Sequence, residues 1–138
     1  MSTHAYIKLT SASKQKTITL EEVKKLFFLY QEMIKKTGEQ LGWQYEEAAF
    51  PYKIVETDDA KGQWFYLKGT NERYHTIIIG VGQEYNETEE TSFIQVTLPN
   101  GSTHGDKGKA NEFCKFLAKK LEGELHLFNG RIMYFYKR

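Results

Sequence analysis

The sequence predicts an α+β fold of two layers, in which a mostly antiparallel sheet of six to seven strands packs with two helices. Three observations support this prediction. Two amphipathic stretches, at about 19–37 and 106–122, are long enough for helices, and each begins near a capping pattern. Short apolar runs bounded by Gly, Asn, Asp or Pro surround them, which is typical of strands. The chain has 138 residues, so we expect one α+β domain over 1–138.

The first helix is predicted to begin at Thr19, which forms the capping pattern T-x-x-E with Glu22. It is predicted to end at Thr37, because Gly38 tolerates the left-handed conformation that follows many helices. One apolar stripe keeps a spacing of three and four residues and consists of Leu20, Val23, Phe27, Tyr30, Ile34, Thr37 and Leu41. A second stripe consists of Leu26, Leu29 and Met33.

A helix that is apolar nearly all round is buried on more than one side. Two alternatives follow. Either the helix packs into its own sheet and is covered by the 39–50 segment, or one stripe contacts another subunit in a two-fold homodimer. In the second case we expect the interface to include Leu26, Phe27, Leu29, Tyr30 and Met33.

The second helix carries a single apolar stripe, which consists of Ala110, Phe113, Cys114, Leu117, Ala118 and Leu121. It is predicted to end at Gly123. Cys114 lies within the stripe, so we expect a buried and unreactive thiol. Because the chain has one cysteine, no internal disulfide can form, and the cytoplasm is the predicted compartment.

Strands are predicted at 5–9, 52–56, 63–68, 74–81 and 92–98, and a closing hairpin at 124–128 and 131–136. In the hairpin, Asn129-Gly130 predicts a two-residue turn that places Phe128 opposite Arg131. Several strands are apolar on both sides. We therefore expect both faces of the sheet to be covered, one by the second helix and the other by the first, unless the first helix lies at a subunit interface.

The charge balance argues against a nucleic-acid partner. The formal net charge is +1, and residues 39–94 carry an acidic excess that would repel a phosphate backbone near any basic end. Nucleic-acid contact, if present, would use Lys115, Lys119 and Lys120. No apolar stretch approaches the roughly 20 residues of a membrane span, so no membrane association is expected.

The metal and cofactor motifs in the chain are incomplete. The four histidines stand singly, without the spacing of metal ligands. The pair Gly80 and Gly82 follows a strand but lacks the third glycine of a dinucleotide fingerprint. We therefore expect neither a metal nor a cofactor.

The glycine- and lysine-rich loop at 102–109 is open to two interpretations. It lacks the spacing of a phosphate-binding P-loop, and the T-x-x-D pattern that begins at Thr103 predicts a capping box and a simple helix start. The alternative is a small-anion or phosphate-binding protein, or a hydrolase, that uses this loop. His104 would then be the base, and Lys107 or Lys109 would bind the anion.

Trp43, Tyr45 and Phe50 bring three aromatic side chains to a connection that should be mostly polar. They either form a satellite cluster over the sheet or, together with Trp64 and Tyr66, line a groove for a ligand or peptide.

Three stretches carry a family resemblance: "TITLEEVKKLF", "KTGEQLGWQYEEAAFPYKI" and "GKANEFCKFLAKKLEGELHLFNGRIMYF". Through them the chain resembles a small family of cytoplasmic proteins from Bacillus-type bacteria, a domain of unknown function. The resemblance spans the whole chain. It implies a two-layer α+β fold with an antiparallel sheet, a long packed helix and a separate N-terminal helix, and it implies no activity, cofactor or functional residue.

The sequence combines excess apolar surface with no catalytic constellation. It therefore favours a non-enzymatic cytoplasmic protein that binds another protein or peptide and self-associates, most simply as a homodimer.

Overall fold

The computed structural model describes residues 3–41, 49–60 and 62–136, with the backbone alone for 39–41. The strands are β1 (Thr3–Lys8), β2 (Tyr52–Val55), β3 (Trp64–Gly69), β4 (Thr76–Tyr85), β5 (Glu90–Leu98), β6 (Glu124–His126) and β7 (Ile132–Tyr134). The helices in the described part of the chain are α1 (Leu20–Leu41) and α2 (His104–Leu121), and a 3₁₀ turn covers Asp58–Ala60. The predicted α+β fold is confirmed.

The seven strands form one sheet in the order β2-β3-β4-β5-β1-β6-β7. Every neighbouring pair is antiparallel. β1 lies inside the sheet between β5 and β6, so the first strand of the chain joins the meander β2–β5 to the closing hairpin. The sheet therefore depends on pairing between residues far apart in sequence.

Both helices pack on the same face of this sheet. The ring of Phe27 in α1 lies 5.5 Å from that of Phe113 in α2 and 5.9 Å from that of Phe65 in β3. All three side chains are fully buried. Because side chains alternate along a strand, Phe65 faces the helices while its neighbours Trp64 and Tyr66 point away from them.

The expectation that α1 covers the second face of the sheet is therefore wrong. An aromatic cluster ties the two helices side by side: the ring of Tyr30 in α1 lies 5.5 Å from Phe113 and 5.0 Å from Phe116 in α2. The buried stripes of both helices share one core. In the described part of the chain no element covers the sheet face that points away from the helices, and we name it the open face.

The start of α1 has the predicted capping box. The Glu22 N–H donates to Thr19 Oγ1 at 3.2 Å, and the Thr19 N–H donates back to Glu22 Oε1 at 3.2 Å. The Gln15 amide also donates to the Glu22 carboxylate at 3.0 Å. These hydrogen bonds, that of Gln15 first, hold the pKa of Glu22 below its ordinary value.

The end of α1 lies beyond the predicted one. The helix continues through Gly38 to Leu41. Gly38 is buried within the helix, and the residues after it, Glu39, Gln40 and Leu41, all have high helix propensity. The apolar spacing that runs to Leu41 was the better indicator of the helix end.

The end of α2 also departs from the prediction. The helix stops at Leu121, and Glu122 rather than Gly123 takes the left-handed conformation, with φ of 52°. Gly123 is required for another reason. A Cβ atom there would lie 3.0 Å from Ile7 Cγ2 and 3.2 Å from the Lys8 carbonyl oxygen, so this glycine lets the chain pass close to β1.

The closing hairpin has a longer loop than the predicted one. Leu127 rather than Phe128 stands opposite Arg131, because the Leu127 N–H donates to the Arg131 carbonyl at 2.8 Å. The loop therefore has three residues, 128–130, instead of two. Gly130 takes φ of +88°, the left-handed conformation that closes many three-residue hairpin loops.

This one-residue shift exchanges the two faces of β7. Fully buried Leu125 pairs with Met133, so these two side chains face the core. Ile132 and Tyr134 point to the open face, where 43% and 41% of their surface is exposed. The hairpin thus adds apolar area to the uncovered side of the sheet.

Candidate functional site

The open face is built by residues that alternate with core residues along each strand. Strand pairing aligns Trp64 in β3 with Gly80 in β4, and Gly80 with Gln95 in β5. The next row consists of Tyr66, Ile78 and Thr97. Because opposite residues on neighbouring antiparallel strands have Cβ atoms about 4.5–5.5 Å apart, these side chains form one continuous surface.

A depression of about 220 Å³ lies in this surface where Gly80 has no side chain. A Cβ atom at Gly80 would meet only ordinary contacts, 3.5 Å from the Gln63 carbonyl oxygen and 3.6 Å from Trp64 Cβ. The space over Gly80 is therefore open, and we name it the Gly80 depression. Its lining consists of Gln63, Trp64, Ile78, Gly80, Val81, Gly82, Phe93, Gln95 and Thr97.

One wall of the depression is the ring of Phe93, which lies directly on the backbone of Gly82. A Cβ atom at Gly82 would collide with Phe93 Cζ, so a larger residue would displace the ring. On the other side the ring of Tyr6 contacts Phe93 edge-on at 5.8 Å. Phe93 is therefore held in place by the sheet and by a neighbouring ring.

A polar network stands beside the depression on β1 and β5. His4 Nδ1 lies 2.8 Å from Thr97 Oγ1, and Gln95 Nε2 lies 3.1 Å from both of these atoms. When His4 Nδ1 is unprotonated, it accepts a hydrogen bond from the Gln95 amide. The amide is thereby oriented next to the aromatic walls.

The residues that line the Gly80 depression carry no charge. In the neighbouring row the Lys68 ammonium lies over the Tyr66 ring, 4.8 Å from its centroid. A charged ligand would lose its hydration in the depression without gaining a counter-charge. The arrangement therefore suits a neutral ligand with an apolar part and an amide or hydroxyl group.

The structure separates the aromatic residues that the sequence grouped as a groove. Phe50 packs into the core, where its ring lies 5.5 Å from that of Phe113. Trp64 and Tyr66 lie on the open face, on the other side of the sheet. Trp43 and Tyr45 lie outside the described residues. The groove hypothesis thus keeps two of its residues, Trp64 and Tyr66, in a different setting.

Sequence reasoning missed Gly80, Gly82 and Phe93 as parts of this surface. Gly80 and Gly82 were considered only as part of a dinucleotide fingerprint, and the strand was predicted to end at Val81, whereas β4 continues to Tyr85. The available signal was the apolar residue at Phe93 in an alternating strand, because a large ring beside two glycines often covers their backbone.

The predicted interface residues of α1 fall into two environments. Phe27 is fully buried, and Leu26 and Tyr30 are half-buried against the core. Leu29 and Met33 are 41% and 44% exposed. Phe28, which the prediction omitted, is 49% exposed. The helix therefore presents apolar side chains to solvent, although Phe27 is not among them.

The 102–109 loop forms the capping box that its T-x-x-D pattern predicts. The Asp106 N–H donates to Thr103 Oγ1 at 3.0 Å, and the Thr103 N–H donates to Asp106 Oδ2 at 3.1 Å. Of the residues assigned to an anion site, His104 and Lys107 are exposed, and Lys109 Nζ lies 3.1 Å from the Glu112 carboxylate. A carboxylate of the chain itself thus occupies the start of α2.

Asp106 is fully buried and connects α2 to the sheet. Its carboxylate accepts hydrogen bonds from the Tyr52 hydroxyl at 2.5 Å and from the His75 N–H at 3.0 and 3.1 Å. Burial, and secondly the hydrogen bond to this carboxylate, raises the pKa of Tyr52 far above its ordinary value. Tyr52 therefore remains a hydrogen-bond donor at every physiological pH.

Comparison with known proteins decides the family. Residues 3–137 match the family described as "Domain of unknown function (DUF1885)". The chain belongs to the DUF1885 family. This confirms the family resemblance drawn from the three sequence stretches.

This DUF1885 protein is similar to a solved structure described as "Crystal Structure of Protein of Unknown Function from Bacillus stearothermophilus". The two chains are 51% identical, the match covers 88% of this chain and 92% of that one, and the TM-score is 0.58. A comparison with curated proteins finds no match.

The described residues of this DUF1885 protein form no metal site. Over 3–41, 49–60 and 62–136, no group of three or more His, Cys, Asp or Glu side chains could hold a metal ion. Neither of the described helices has the length and apolar character needed to cross a membrane. Lys115, Lys119 and Lys120 are exposed on α2.

Proposed function

We propose that this protein is a non-enzymatic protein-binding module that uses the open face to bind a partner. One observation carries the proposal: the described helices cover one face of the sheet, and the other face presents an aromatic surface around the Gly80 depression. Aromatic side chains are enriched where proteins bind each other. Trp64, Tyr66 and Phe93 supply them here.

The proposed partner is a neutral stretch of peptide. The depression has room for an apolar side chain between Trp64 and Phe93. The amide of Gln95 and the hydroxyl of Thr97 can bond to the main chain of such a segment, since a peptide group is itself a donor and an acceptor. The neutral lining disfavours a charged side chain at this point.

Filling the depression tests the proposal. Peptides are first selected by display on the immobilised protein, and their affinity is measured by the fluorescence of Trp64 in a Trp43→Phe background, which leaves one of the two tryptophans. The further substitution Gly80→Val should weaken the selected peptides at least tenfold, about 1.4 kcal/mol. The fold should be kept, because a Cβ atom at Gly80 meets only ordinary contacts.

Phe28→Ala provides the control, since it removes an exposed ring on α1 that lies beside β2 and not among the residues that line the Gly80 depression. Peptide affinity should be unchanged in this variant. If the selected peptides bind Gly80→Val as tightly as the parent, the open face is not the binding surface.

The proposed function has a second part, which is self-association through α1 as a homodimer. It is supported by three large apolar side chains, Phe28, Leu29 and Met33, which lie within six residues and are each more than 40% exposed. Such clusters often mark contact surfaces. Sedimentation velocity should show a sedimentation coefficient that rises with protein concentration, and a constant monomer value would remove this part of the proposal.

The cytoplasm is the proposed compartment. Cys114 is fully buried and burial raises its pKa to about 12, as suits a thiol that packs as an apolar residue in a reducing environment. Fractionation of cells that express the protein should recover it in the cytoplasmic fraction, and recovery outside the cell would contradict the assignment.

A further inference from the structure

A groove of about 360 Å³ lies between α1 and α2. Met33 and Phe116 form its apolar part, and the lysines Lys14, Lys119 and Lys120 complete its lining. All three lysines are exposed. We name it the lysine groove. An apolar floor beside ammonium groups is complementary to an apolar side chain flanked by carboxylates.

Residues 84–90, which comprise the end of β4, the turn after it and the first residue of β5, have the opposite character. They carry four carboxylates, on Glu84, Glu87, Glu89 and Glu90, and the ring of Tyr85, which is 75% exposed. Two of these carboxylates are paired within the chain, Glu84 with Lys8 at 3.6 Å and Glu89 with Lys16 at 3.2 Å. We name this segment the acidic tip. It therefore combines the two features that the lysine groove would select, an accessible aromatic ring and negative charge.

The acidic tip is held in one conformation by the Asn86 side chain. Asn86 Oδ1 accepts hydrogen bonds from the Thr88 N–H at 2.9 Å and the Glu89 N–H at 2.8 Å. The Asn86 N–H donates to the Glu89 carbonyl at 3.0 Å. A segment that is already ordered loses little conformational entropy when it docks.

The lysine groove and the acidic tip lie at the same end of the molecule. Both border the segment that precedes α1: Lys16 Nζ is 3.2 Å from the Glu89 carboxylate, and the Lys14 N–H donates to the Leu121 carbonyl at the end of α2 at 3.0 Å. A single two-fold rotation can therefore place the groove of each copy against the tip of the other. Such an arrangement gives a closed dimer rather than an open chain.

We infer that the lysine groove binds the acidic tip of a second copy of this chain. Tyr85 of one copy packs on Met33 and Phe116 of the other, and the carboxylates of the tip face the lysines of the groove. The inference rests on the self-association proposed above. Of the exposed apolar cluster on α1 it uses Met33, and it adds the acidic tip as the second surface. Charge complementarity selects this occupant. Glu84, Glu89 and Lys14 already lie beside opposite charges of their own chain, so the attraction comes from Glu87 and Glu90 of one copy and Lys119 and Lys120 of the other.

Charge reversal on each surface tests the inference by sedimentation velocity at low salt. The groove variant is Lys119→Glu with Lys120→Glu, and the tip variant is Glu87→Lys with Glu90→Lys. Each variant alone places like charges opposite each other in both contacts, so its dimer dissociation constant should rise at least about a hundredfold. An equimolar mixture of the two variants should form a heterodimer, because both contacts then join opposite charges.

The control variant is Lys68→Glu with Arg131→Glu, which changes the net charge as the groove variant does but lies in β3 and just before β7. It should dimerise as the wild type does. Far-UV circular dichroism checks that each variant is folded.

The outcomes separate the inference from the proposed function. Disruption by each variant with recovery in the mixture supports the inference. If the wild type dimerises and neither variant weakens the dimer, the inference is wrong although self-association stands. The same conclusion follows if each variant disrupts the dimer and the equimolar mixture does not restore it. A wild-type chain that is monomeric at every concentration overturns both.

Discussion

In α1, Phe27 and Phe28 are adjacent in sequence but occupy opposite environments. Phe27 is fully buried and its ring contacts those of Phe50, Phe65 and Phe113. Phe28 is 49% exposed. Because successive residues in a helix are about 100° apart around the axis, one residue reaches the core that joins both helices to the sheet and the next faces outward.

Phe27→Ala should lower the free energy of unfolding by about 3–5 kcal/mol, since it removes a buried ring and leaves a cavity between three others. Phe28→Ala is the matched control, with the same chemical change in the same helix, and it should cost less than about 1 kcal/mol. Urea unfolding of the two variants measures both values. Equal losses would contradict the packing of α1 described above.

The residue patterns that were readable from sequence are the local ones. The capping boxes at Thr19 and Thr103 follow from residues three positions apart, and both are confirmed. The partners that bury Asp106 were not readable, because Tyr52 and His75 lie 54 and 31 residues away along the chain. Only the fold brings a tyrosine hydroxyl to that carboxylate.

At the scale of elements, the helices and strands can be predicted from the spacing of apolar residues and from the Gly, Pro, Asn and Asp residues between them. Their arrangement cannot be predicted in this way. Periodicity shows that a helix has an apolar stripe without showing which face of the sheet the stripe meets. The two-sided apolar strands suggested two covered faces, whereas α1 joins α2 on one face. Likewise, the Asn129-Gly130 pattern indicated the turn, but the loop has three residues instead of the predicted two. The longer loop exchanges the side chains on the two faces of β7.

Two glycines test the local conformations of the elements. Gly130→Ala should lower the free energy of unfolding by about 1–2 kcal/mol, because its φ of +88° is unfavourable for any residue with a side chain. Gly108→Ala should raise it by up to about 1 kcal/mol, because this exposed glycine lies inside α2 and a Cβ atom there meets nothing within 4 Å.

Thermal unfolding monitored by circular dichroism compares the two variants. Opposite signs are expected for the same Gly→Ala change. A stabilised Gly130→Ala variant would show that the hairpin loop is not the three-residue loop described here.

At the scale of the whole molecule, the helices in the described part of the chain all lie on one face of the seven-stranded sheet. The open face carries the aromatic walls of the Gly80 depression and the exposed apolar residues of β7. The helical side carries a different surface, the lysine groove. The lysine groove and the Gly80 depression lie on opposite sides of the sheet, so the proposed peptide and the proposed second copy would contact different surfaces.

The most direct test of the binding surface is amide chemical-shift mapping by NMR, with the tightest display-selected peptide titrated into the ¹⁵N-labelled protein. We expect the largest shifts at Gly80, Gly82, Phe93, Gln95 and Thr97. Shifts confined to α1 and α2, with those amides unchanged at saturation, would contradict binding at the open face.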